Sequence, residues 1–172
     1  MEIISVDGWY LLLRWSHLLA GVTWIGLLYY FNFVQGEWFK ETDASAKTAA
    51  VQKLVPRALW WFRWSAMFTF LAGTLILISK GMKGWEIYAT SWGILILTGA
   101  TLGTLMFLNV WMIIWPAQQV VIASTNQVAE GGEALPDAAS SAAKAALASR
   151  TNTLFSVPML LFMGAASHFP VG

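Results

Sequence analysis

The sequence predicts an all-α integral membrane protein, a bundle of four transmembrane helices with both termini on the periplasmic side. Three observations lead there. Of 172 residues, 58% are hydrophobic and 11% charged, whereas a soluble domain carries roughly a quarter charged residues. The charges fall in blocks and leave four long stretches nearly free of them. Those stretches are too long and continuous for barrel strands, and only helices or closed barrels satisfy the backbone in lipid.

Span one is expected at residues 9–35 and holds "RWSHLLAGVTWIGLLYY". A polar connection at 36–55 follows, then span two at 56–79, "PRALWWFRWSAMFTFLAGTLILIS". A short turn at 80–86 contains "KGMKG" and leads to span three at 87–115. The longest connection, 116–150, has a Gly-Gly break, an N-cap candidate at Asp137 after Pro136, and an alanine-rich run. That run is expected to form a helix leading straight into span four at 151–170. Each span has about 20 residues or more, enough at about 1.5 Å per residue to cross a hydrocarbon core of about 30 Å. No repeat or second domain is visible, so the chain reads as one membrane domain, 1–172. Connections one and three lie on one side and carry Lys40, Lys47, Lys53, Arg57, Lys144 and Arg150. The other side has Lys80, Lys83 and, inside the span, Arg14. The excess of cations places connections one and three in the cytoplasm of a bacterial inner membrane.

Several classes are excluded. The chain has no cysteine, hence no thiolate metal site, no iron–sulfur cluster and no c-type haem attached through C-x-x-C-H. Two histidines cannot build a three-histidine zinc site, and no structural zinc is expected. No basic patch lies outside the spans, so no nucleic-acid partner is expected. "MEIISVDGWY" lacks the basic n-region of a cleavable signal peptide. The spans hold no Asp or Glu, so no complete catalytic constellation and no proton pump is evident.

What remains is His17 in span one and His168 at the end of span four. The four-helix order puts both in one leaflet. Two imidazoles from different helices at similar depth suit the iron of a non-covalent haem b, and imidazole is otherwise costly in lipid. Gly21 follows His17 by four residues and Gly164 precedes His168 by four. Each glycine therefore sits one turn deeper on its histidine's face, where a flat macrocycle needs a side-chain-free surface. Arg14 lies one turn nearer the outer surface and is a partner for haem propionates. Trp24, at i+7 from His17, could pack on a cofactor or in the core. Met67, Met159 and Met163 are alternative ligands or core residues. Glycines also serve plain helix packing, as in "GATLG" at 99–103.

A second polar set spans all four helices at the cytoplasmic end: Asn32, Gln35, Arg63, Asn109 and Asn152. It reads either as an anion or quinone-headgroup site, or as an interhelical lock with Arg63 capped by amide oxygens. Most of the eleven tryptophans fall at span ends, as an interfacial belt does.

The segments "RWSHLLAGVTWIGLLYYFNFVQ", "FRWSAM", "NVWMIIWPAQQ" and "ASRTNTLFSVPMLLFMGAASHFP" resemble the membrane part of bacterial membrane-bound urate oxidases, the urate hydroxylase N-terminal domain family. That resemblance implies a helical inner-membrane module associated with redox chemistry. A C-terminal cytochrome c domain is expected in full-length members to accept electrons, and this chain has no C-x-x-C-H. The R-x-x-H-x-x-x-G-x-x-W-x-G pattern of Arg14, His17, Gly21, Trp24 and Gly26 is similar to copper-resistance D membrane proteins. "HLLAGVTWIGLLYY" with "RTNTLFSVPMLL" also looks like the haem-binding protoporphyrinogen oxidases, whose essential first-helix histidine falls on His17. Their Pro-Arg after the first span is absent here, and Asn152 is followed by Thr153 rather than Glu. The expectation is a haem b-binding electron-transfer or redox subunit. It would sit in the lipid bilayer as a homo-oligomer or within a larger membrane complex, with a cytochrome or quinone as redox partner. The alternative is a cofactor-free accessory subunit of a respiratory or photosynthetic complex.

Overall fold

The computed structural model describes residues 6–168, and among these all regular structure is helical. Four rods carry the fold: α1 (Gly8–Glu41), α2 (Ala44–Gly81), α3 (Ser91–Ala129) and α4 (Ala138–Ala165). The first three are long and apolar enough to cross a membrane. α1 lies along α2 and α3 along α4, giving two antiparallel hairpins. They meet through a stacked Phe70–Phe107 pair at 4.3 Å and an edge-on Trp64–Trp111 pair at 5.5 Å.

The polar connections are shorter than the sequence suggests. α1 runs on to Glu41 and α2 restarts at Ala44, leaving only residues 42–43 between them. Asp43 starts α2, its Oδ1 accepting from the Ala46 N–H at 2.9 Å. α3 likewise continues past residue 115 to Ala129. Proline does not stop either rod, because the turn ahead of it widens. Pro56 and Pro116 lack the N–H that an α-helix would offer to the carbonyls of Gln52 and Met112. Ala50–Leu54 and Val110–Ile114 are π-helical instead, with Val55 N–H on Ala50 O and Trp115 N–H on Val110 O. A third π turn, Tyr30–Gln35 in α1, closes with Gly36 N–H on Phe31 O.

Span three, expected from residue 87, begins at Ser91. A 3-10 turn, Trp85–Ala89, precedes it, and Thr90 caps it by accepting from Gly93 N–H at 3.2 Å. Glycine is required at two points here. Gly84 has φ +145°, and a Cβ on Gly93 would meet Ile87 O at 2.5 Å. α4 starts directly after Asp137, though the Asp137 side chain makes no cap bond.

The exterior, unlike that of a soluble bundle, is as apolar as the core. The core holds Trp24, Leu28, Phe62, Ala66, Met106, Val110 and Met159. Yet Asn152 and Ser156 are also fully buried, while Leu154, Val157 and Leu161 on the opposite face of α4 are 63–70% exposed. Serine and threonine hydroxyls along the rods, such as Thr74 and Thr98, donate to carbonyls four residues back in their own helix. Those bonds leave few bare polar groups for an apolar environment.

Candidate functional site

The His17 ring lies in the α1–α2 contact. Its Nδ1 is 2.9 Å from the carbonyl oxygen of Thr69. A carbonyl oxygen only accepts, so Nδ1 carries the hydrogen and donates it. In neutral imidazole the lone pair then resides on Nε2, which has no hydrogen-bond partner among the described residues. Gly73, one turn beyond Thr69, makes the space. A Cβ there would lie 2.9 Å from His17 Cε1 and 3.1 Å from Nδ1. Thr69 and Gly73 were not singled out in the sequence. The signal was a pair of small residues four apart in "TFLAG", at the depth in span two that antiparallel packing sets opposite His17.

His168 closes a single 3-10 turn, Ala166–His168, after α4, and is exposed. It shares no hydrogen bond with His17. The register between α1 and α4 relates their depths. Tyr29 OH and Ser156 Oγ are 2.9 Å apart. Twelve residues back along α1 is His17, and twelve residues on from Ser156 is His168. In an antiparallel pair these fall at one level, give or take a turn.

The other expected site residues separate into two groups. Arg14 is exposed, forms no ion pair among the described residues, and approaches only the Tyr10 ring, at 6.0 Å. Gly164 is open: a Cβ there would meet nothing within 4 Å. Both flank the histidine level. Gly21 faces α2 instead, with Thr69 Cγ2 at 3.8 Å from a Cβ position. Trp24 is 2% exposed in the central core, its Nε1 without an acceptor among the described residues. Met159 is core, and Met163 packs on Gly99, whose Cβ position lies 3.1 Å from Met163 Cγ. Gly99 is thus a packing glycine of "GATLG", while Gly103 has open space.

The second polar set divides too. Asn109 Nδ2 donates to Asn152 Oδ1 at 2.9 Å, and Asn152 Nδ2 donates to Met106 O at 2.9 Å. Asn32 Nδ2 donates to Ser149 Oγ at 2.8 Å, tying α1 to α4. These amides form the interhelical lock that the sequence allowed. Arg63 is outside it. No amide oxygen caps its guanidinium, which lies 3.8 Å from the Trp115 ring centroid, with Trp111 and Trp64 at 5.7 and 5.9 Å. The π turn and Pro116 set Trp111 and Trp115 on this side of α3, a placement that belt composition does not reveal.

Among the described residues no cluster of three or more His, Cys, Asp or Glu could hold a bare metal ion. Residues 82–172 match the family described as urate oxidase N-terminal. No curated protein and no solved structure matches the chain.

Proposed function

The chain belongs to the urate oxidase N-terminal family, and we propose that it is a haem b-binding redox subunit of the bacterial inner membrane. One observation carries this reading: the Nδ1–H of His17 is held by Thr69 O at 2.9 Å, which keeps Nε2 as the ligating nitrogen. Histidines that bind metal characteristically donate their other ring N–H in this way, which fixes the tautomer and raises ligand basicity. The Gly73 cradle supports it, because a Cβ there would meet the His17 ring at 2.9 Å. His17 is the proposed iron ligand and His168, at the matching level, the proposed second. Arg14, with no ion-pair partner among the described residues, would take the charge of a propionate. Haem, when bound, supplies a one-electron couple whose potential the axial ligands and surrounding burial set. The chain's own task is to hold the ring nitrogen, neutralise the carboxylates and keep water from the iron's level.

A single chain offers one wall for a macrocycle. Beside Arg14, the stripe of Leu11, Trp15, Leu18 and Val22 is 58–66% exposed. A second copy on that stripe would enclose the cofactor, and a quinone or cytochrome would exchange the electron. We read α4 as a fourth crossing, since the exposed face of its second half is Leu154, Val157 and Leu161 while Asn152 and Ser156 are fully buried. With Arg14, Lys80 and Lys83 against the six cations at the other end, both termini would be periplasmic.

Haem titration of the purified chain tests the reading. Wild type should take up haem at fixed stoichiometry, His17→Ala should fail to, and Arg14→Gln should bind more weakly. Equal uptake by wild type and His17→Ala would overturn it.

A further inference from the structure

We propose that the arginine–tryptophan cluster on α2 and α3 binds the phosphate headgroup of an anionic phospholipid. The cluster lies near the middle of α2, ten residues ahead of Gly73, and the inference does not rest on haem. Its centre is Arg63. The face of the guanidinium is covered by Trp115 and flanked by Trp111 and Trp64. Indole faces stabilise the charge electrostatically but accept no conventional hydrogen bond from its N–H groups. No N–H of Arg63 has an acceptor among the described residues; Nε is buried against the cluster and unpartnered. A guanidinium inside an apolar rod without an acceptor is costly. Its fork geometry matches the oxygens of a phosphate.

Arg57 adds a second cation. It is exposed, has no ion-pair partner among the described residues, and lies six residues before Arg63, about 9 Å along the helix. Beside Arg57, on a face of α2 about 120° from that of Arg63, Pro56, Trp60 and Trp61 complete a groove of about 350 Å³. From there the exposed face of α2 continues through Phe68, Leu71 and Leu75, which are 47–61% exposed. A headgroup on the arginines would therefore lay its acyl chains directly on apolar side chains. That continuity favours a lipid over a free anion, and the paired positive charge favours an anionic lipid over a zwitterionic one.

Native mass spectrometry of the full chain, delipidated in detergent, reads the site. The probes are dioleoyl-phosphatidylglycerol and dioleoyl-phosphatidylcholine. Wild type should retain the former in preference to the latter. Arg57→Gln should weaken retention about fivefold, and Arg63→Gln about tenfold or more. Arg63→Lys should fall below wild type because it loses the fork and the stack. Arg57 is on the surface, so its variant carries the test even if Arg63→Gln does not fold. Equal retention of the two lipids, or wild-type retention by Arg57→Gln, would overturn the proposal. So would competition by inorganic phosphate at the same concentration as the lipid, which would make this a free-anion site.

Discussion

Gly73→Ala tests how tightly the His17 ring is held. The added methyl would sit 2.9 Å from Cε1 and 3.1 Å from Nδ1, so the ring must shift away from Thr69 O. The expected cost is about 1–3 kcal/mol of stability. The more telling change is in haem: weaker uptake and a shifted reduced spectrum, which Gly103→Ala, in open space, should not produce. Asn152→Ala removes two interhelical bonds at a fully buried position. Thermal unfolding should report a loss of about 1–2 kcal/mol. Arg14 and His17 were legible in the sequence because a cation and an imidazole stand out in an apolar run. Thr69 and Gly73 were not, because their residue types are ordinary for a membrane helix and only packing brings them to His17. Arg63 was legible as a cation within a span, but its indole surroundings depend on a π turn in another helix.

The start of α2 depends on Asp43. Hydrogen bonds from Ser45 Oγ at 2.6 Å and from the Ala46 N–H hold its carboxyl below the usual carboxylate range. A carboxylate with a depressed native pKa adds stability that is complete above its unfolded value of about 3.9 and is lost as pH falls through the native one. Protection of the amides of residues 44–49, taken relative to their intrinsic exchange, should therefore fall below about pH 4 in wild type. In Asp43→Ala it should already be low at neutral pH and change little over this range. Exchange that is equally slow in both proteins would contradict the cap. The four helices were readable from the apolar stretches, but their ends were not. The chain remains helical through 36–41 and 116–129, because beyond Pro116 neither stretch holds a residue that stops a helix already begun. Pro116, which reads as a stop, is absorbed by the π turn before it.

For the whole molecule, the proposed topology has four crossings of a bilayer with both termini outside. A C-terminal alkaline phosphatase fusion should be active and a C-terminal green fluorescent protein fusion dark; the reverse pair would mean an odd number of crossings or the opposite orientation. Hydropathy alone passes α1, α2 and α3. α4 is less apolar because its first half is alanine-rich and carries Lys144, Arg150 and Asn152, yet its second half presents leucine and valine outward. The family was legible in the motifs of the last two segments, which fall within the matched residues 82–172. The proposed function stands or falls on His17 as a ligand of haem iron. The most direct measurement is the oxidised and dithionite-reduced absorption spectrum of the protein, purified gently from its own membrane, for wild type and His17→Ala. The wild type should show the sharp reduced α-band of six-coordinate haem b, and the variant should show none. A featureless visible spectrum in the wild type, or an unchanged α-band in His17→Ala, would contradict it.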